Sequence, residues 1–117
     1  MKIAVQGSKN FSDYNIFLRA MRTALYSMKP EDKTIELYPL GTHLVNNMAI
    51  GFSNIAEDEL RPRGIKISCH QRPASWGEKN VKEFDYIAYF CKPGEPFSKL
   101  VDLADELELN PGVYSYE

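Results

Sequence analysis

Met1-Lys-Ile-Ala-Val-Gln-Gly-Ser-Lys-Asn-Phe11 is the stretch on which the fold turns. Ile3, Ala4 and Val5 form a short apolar run that stops at Gly7-Ser8. A polar loop follows, and then an amphipathic helix beginning near Ser12 or Asp13. A strand apolar on both faces suits a parallel sheet covered by helices. Strand, glycine turn and helix together are the opening unit of an α/β nucleotide-type fold, in which the helix N-terminus offers free amides to an anion. Neither G-x-G-x-x-G nor G-x-x-x-x-G-K-[ST] is present, so neither a dinucleotide site nor a Walker-type site follows.

The rest of the chain extends this unit. Ile16, Phe17, Ala20, Met21, Ala24, Leu25 and Met28 recur at helical spacing, and the helix is expected to stop before Lys29-Pro30. Thr34 to Tyr38 alternates as a second strand. Pro39-Leu40-Gly41-Thr42 is a turn with Thr42 as N-cap. Leu44, Val45, Met48, Ala49, Phe52, Ile55, Ala56 and Leu60 then mark a second helix. Gly51 inside it costs about 1 kcal/mol relative to alanine, and close packing on the sheet is its expected reason. Gly64 to Ser68 is a third strand, and Cys69 to Lys82 reads as a loop with one helical turn. Phe84 to Phe90 is a fourth strand. Pro96 is placed in the first position of a helix whose buried face is Leu100, Val101, Leu103, Ala104 and Leu107. Val113 to Tyr116 closes the series.

This order predicts one α/β domain over 1–117: a three-layer, Rossmann-like unit with a five-stranded, mainly parallel sheet in the order 3-2-1-4-5. In that order the strands leading to Cys69 and Cys91 are not neighbours, which argues against a disulfide between them. A chain of 117 residues, 44% apolar and 26% charged, fits a single core of ordinary globular composition. The formal charge of −2 argues against direct nucleic-acid binding, which needs clustered Lys and Arg. Arg19, Arg22 and Lys29 lie on the first helix, and acids gather at Glu57-Asp58-Glu59 and from Asp102 to Glu108. These are read as solvated helix faces. No apolar run reaches the roughly 20 residues that span a bilayer. Lys2 leads straight into a strand, so no signal peptide is expected. Two cysteines without a ligand cluster suit a reduced, cytoplasmic setting and no metal site.

In an open parallel sheet, ligands sit beyond the C-terminal strand ends, near the reversal of strand order. Three turns are predicted to meet there: Gly7-Ser8-Lys9, Gly41-Thr42-His43 and Lys92-Pro93-Gly94-Glu95. Gly7 and Gly41 allow close backbone approach, Ser8 and Thr42 supply hydroxyls, and Lys9 supplies charge. His43, Asn46 and Asn47 start the second helix, where they are candidates to read a base or ribose, the alternative being ordinary capping chemistry. Trp76 is a candidate stacking residue, although a partly buried lid is its plainer role. No nucleophile, base and orienting group can be matched by spacing, so no catalytic residue is assigned.

Met1 to Leu25, with Val5-Gln-Gly-Ser-Lys-Asn-Phe11 followed by Asp13 and an apolar helix, resembles the start of the YspA-type branch of the SLOG superfamily. These are Rossmann-like domains related to the DprA and LOG proteins, typically opening with a strand and G-S-R-[DN]-F. Phe84 to Phe90, then Gly94, Leu100, Val101 and Ala104, and finally Val113 to Tyr116 are similar to its later strand, turn, helix and last strand. The resemblance implies a nucleotide or nucleotide-derived ligand at the three turns, with Phe11 closing the first motif. Ser8 and Lys9 would hold phosphate, and Thr42 and His43 would contact the sugar or a second phosphate. The chain departs from the family in three places. The glycine-rich second turn is reduced to Pro39-Leu-Gly-Thr-His43, the arginine after G-S is Lys9, and the fourth-strand turn keeps only Gly94. The P-G-G-x-G-T-x-x-E motif of the LOG phosphoribohydrolases is missing, so that activity is not carried over. The implied function is a non-catalytic binding domain. The alternative is a degenerate SLOG-like module for protein contact or homo-oligomerisation, as an accessory protein of a phage or mobile element.

Overall fold

In a computed structural model, which describes residues 1–116, Lys2–Gly7 forms strand β1 and Tyr14–Tyr26 helix α1. Thr34–Pro39 is β2 and His43–Leu60 is α2. Lys66–Cys69 is β3, Ala74–Lys79 is α3 and Tyr86–Cys91 is β4. Lys99–Glu106 is α4 and Gly112–Ser115 is β5. The five strands pair in the order β3-β2-β1-β4-β5, and each of the four pairings is parallel. This is the Rossmann-like α/β architecture and strand order that the opening stretch and right-handed crossovers predict.

The alternation of side chains along β1 explains the three layers. Ile3 and Val5 join Phe17, Met21, Val45 and Phe52 in the core beneath α1 and α2. Ala4, between them, joins Val81, Phe84, Leu100 and Ala104 on the other face. A strand buried on both sides has no polar face, which is why Ile3 to Val5 in β1 reads as an unbroken apolar run. α1 starts where the Asp13 carboxylate accepts hydrogen bonds from the Asn15 and Ile16 amides, at 3.1 and 3.2 Å. It ends at Tyr26, short of the Lys29-Pro30 boundary, and Met28 packs on the core from the loop.

Four local expectations are corrected. The segment after β3 is not mainly loop: it holds α3 and a 3-10 turn at Val81–Glu83. Its packing explains this better than its periodicity, because Gly77 lies directly over Leu40 and Trp76 stacks on Tyr38. Pro96 does not start α4. The cap is Ser98, whose hydroxyl accepts from the Val101 amide and donates to Gln6 Oε1 at 2.6 Å. Leu107 lies past the end of α4 and is 39% exposed. A methyl group on Gly51 would meet nothing within 4 Å, so close packing on the sheet does not account for this glycine.

Candidate functional site

The C-terminal strand ends carry the three predicted turns, and the protein uses each differently. At the first, the Ser8 amide donates to Phe90 O at 2.8 Å and the Ser8 hydroxyl hydrogen-bonds the Tyr116 hydroxyl. Phe11 is wholly buried and stacked on Phe90. A Cβ on Gly7 would sit 2.8 Å from Val45 Cγ2 and 3.3 Å from the Phe11 ring. The room left by Gly7 is therefore filled by the protein's own side chains, and Phe11 serves the core. Lys9, Asn10, Ser12 and Asp13 are the exposed residues of this loop. The N-terminus of α1 is already occupied by the Asp13 carboxylate.

The second turn is arranged in the opposite way. Gly41 takes φ +90°, in the left-handed region that favours glycine, and its amide donates to Arg72 O at 3.3 Å. Thr42 is the N-cap of α2 by backbone geometry, yet its hydroxyl makes no capping bond and is buried without a partner. Asn46, one turn on, is 8% exposed and its Oδ1 is also unpartnered. The first turn of α2 carries no acid. His43 is exposed, with Nε2 3.3 Å from the Asn47 amide nitrogen. The positive end of an 18-residue helix is thus left without the carboxylate or hydroxyl that caps α1 and α4.

Beside this helix end lies an open cleft of about 420 Å³ lined by Gly41, Gln71, Arg72 and Pro73. The link between the two segments is a parallel bridge of Leu40 with Arg72, continued by the Arg72 amide donating to Pro39 O at 3.2 Å. The Arg72 guanidinium rests 5.5 Å from the Trp76 ring centroid, and Trp76 stacks in turn on Tyr38, with centroids 5.0 Å apart. A cation held on an aromatic face keeps a fixed position at little cost in rotamer freedom. Gln71 and Arg72 are not singled out by any sequence motif. The available signal is their position, directly after a parallel strand's C-terminal end.

At the third turn Gly94 is exposed at φ +85°. Its neighbours bond one another: the Lys92 amide donates to Glu95 Oε1 at 2.6 Å and the Glu95 amide to Lys92 O at 3.1 Å. The loop therefore presents a carboxylate already bonded to its own backbone. Ser98 and Gln6 lock the base of this loop to β1.

One group of side chains has the residue types of a hydrolytic relay. Ser68 Oγ lies 2.9 Å from His70 Nε2, and Glu36 Oε1 lies 4.0 Å from the same nitrogen. A relay needs the nucleophile and the carboxylate on opposite ring nitrogens. Both partners here share Nε2, so the arrangement is a surface hydrogen-bond cluster. Cys69 and Cys91 are free thiols on strands separated by β2 and β1, and burial pushes both above the usual thiol range. No group of three metal-ligating side chains stands together among the described residues, and no helix among them is long and apolar enough to cross a membrane.

No family model, curated protein or solved structure matches the chain.

Proposed function

We propose that this protein is a non-catalytic binding domain for a phosphate-bearing small ligand of the nucleotide class, seated over the C-terminal ends of β1, β2 and β3. The observation that carries the reading is the contrast between two helix ends. Asp13 fills the N-terminus of α1, whereas that of α2 is free of side-chain caps and acids and follows Gly41, which lines the Arg72 cleft. Backbone amides at a helix start attract anions, and a guanidinium adds charge with a fixed fork of donors. Lys9, exposed on the neighbouring turn, supplies a second cation. The family resemblance of the opening stretch supports the same class of ligand, with the phosphate contact moved from the first turn to the second. We place the protein in the cytoplasm, where Cys69 and Cys91 stay reduced.

The test is thermal unfolding against a panel of nucleoside mono-, di- and triphosphates and cyclic nucleotides, with inorganic phosphate as control. A ligand at 100 times its Kd adds about 2.7 kcal/mol of stability. The Tm should rise with concentration in the parent protein and stay flat in Arg72→Ala, and the recovered nucleotide should be chemically unchanged. A flat response to the whole panel overturns the reading.

A second reading, a module for protein contact, is favoured by one observation. Phe97, Leu107, Leu109 and Val113, all from the β4–α4–β5 segment, are exposed by 48, 39, 38 and 38%. A defined oligomer in light scattering, dispersed by Phe97→Ser, supports that reading.

A further inference from the structure

Away from the Arg72 cleft, along α1 and α2 and down to the N-terminal ends of β2 and β3, two cavities adjoin. The first is a groove of about 320 Å³ between α1 and α2, walled by Leu18, Phe52, Ile55 and Ala56. The second, of about 370 Å³, lies under the loops that enter β2 and β3 and contains Lys29, Lys33 and Asp32. Leu25, Leu60 and Arg63 line both, so groove and cavity share a border, and we term the pair the channel.

The charges around this channel are unbalanced. Arg22, Arg63, Lys29 and Lys33 face it, against Glu59 and Asp32, in a chain whose net charge is −2. Among the described residues, none of those four cations is in an ion pair, whereas Arg61 next door is paired with both Glu57 and Asp58. One Asp32 oxygen is engaged by the Lys29 backbone amide at 2.9 Å. The groove is therefore mainly apolar with Arg22 and Glu59 among its walls, and the adjoining cavity sets Lys29, Lys33 and Arg63 against Asp32 alone.

We infer that this channel is a binding site for a single-chain anionic amphiphile, with its hydrocarbon chain in the α1/α2 groove and its carboxylate or phosphate head among Lys29, Lys33 and Arg63. Size selects this occupant over a docked helix. A volume near 300 Å³ is that of a small-molecule site, and a helix about 10–12 Å wide cannot enter it. The walls favour a hydrocarbon over a nucleotide, because Leu18, Leu25, Phe52, Ile55, Ala56 and Leu60 give the groove a mainly apolar lining, beside the charged Arg22, Glu59 and Arg63. The site is independent of the Arg72 cleft, which lies beyond the other ends of the strands.

Dodecyl phosphate below its micellar concentration is the probe, with binding followed by calorimetry and by methyl NMR shifts at Leu18 and Ile55. The controls are dodecyltrimethylammonium, which keeps the chain and reverses the head, and vesicles containing phosphatidylserine, which present the same head class in a bilayer. Ile55→Glu places a charge in the groove and Arg63→Glu reverses the mouth. Both side chains are exposed, so the fold is retained and can be verified by circular dichroism. Saturable binding of dodecyl phosphate, weakened about tenfold or more by each variant and absent for the cationic amphiphile, supports the site. Equal binding of the cationic amphiphile, unchanged binding in both variants, or binding to vesicles without binding to the free probe overturns it.

Discussion

Phe11 lies flat on Phe90, with ring centroids 4.3 Å apart and planes 5° from parallel. The loop that follows the opening turn is thereby fastened to the end of the fourth strand, across the point where strand order reverses. Phe11 and Phe90 are both wholly buried, and Tyr116 closes the pair from the side at 4.9 Å from Phe11. This aromatic plug makes the β1 loop a structural joint. Phe11→Ala should lower stability by about 3–5 kcal/mol in urea unfolding, as expected for truncating a buried phenylalanine. Phe11→Leu should cost less, because it refills most of the volume.

Two glycine-to-alanine changes should act with opposite signs. At Gly51 a Cβ meets open space inside a helix, so Gly51→Ala should stabilise by up to about 1 kcal/mol through helix propensity. At Gly7 the same atom would stand 2.8 Å from Val45 Cγ2, and overpacking should cost about 1–3 kcal/mol. Chemical denaturation of the two variants side by side checks the contrast.

Alkaline pH should unfold the protein through its tyrosines. Burial holds the phenols of Tyr86, Tyr38 and Tyr89 above their usual range, and for Tyr86 the hydrogen bond with Tyr114 adds to the effect. The folded state keeps these protons longer than the unfolded chain does, so stability is whole below the unfolded value of about 10 and falls as pH rises above it. Each such proton contributes at most about 1.4 kcal/mol per pH unit to that fall. Denaturation midpoints between pH 9 and 11 should drop for the parent and drop less steeply in Tyr86→Phe. Parallel slopes in the two proteins would contradict the assignment.

Thiol chemistry should separate the two cysteines. Both thiols are held above the usual range by burial, and Cys91 is only 3% exposed while Cys69 is partly open. Alkylation by iodoacetamide at pH 8, read by mass spectrometry, should be slow at Cys69 and slower at Cys91. Both should react fully once the chain is unfolded.

The opposite assignments of the first two turns rest on Asp13 and Thr42. Asp13→Ala should remove a cap and cost about 1 kcal/mol, whereas Thr42→Val should be nearly neutral or stabilising because its buried hydroxyl has no partner. Thermal unfolding of both variants decides it.

The strand order and the two-sided burial of β1 are legible in the chain because a parallel central strand must be apolar on both faces and the crossover rule restricts how such strands assemble. The helical stripes of α1 and α2 are legible for the same kind of reason: Phe17, Ala20, Met21 and Ala24 all face the core at helical spacing. Helix α3 is not, because its six residues are too few to show a period and what holds them is contact with Tyr38 on β2 and Leu40 just after it. Ser98 is hard to tell from Pro96 as the start of α4, because its second partner, Gln6, is remote in sequence.

The architecture is written in local pattern, since periodicity and turn chemistry each act within a few residues. Which of the two glycine turns is packed shut and which borders a cleft follows from tertiary packing. Gly7 and Gly41 are alike in the chain, but one is filled by Val45 and Phe11 while the other borders a cleft with Arg72. That difference depends on which distant side chains the sheet brings to each strand end, and on which helix start already holds a carboxylate of its own.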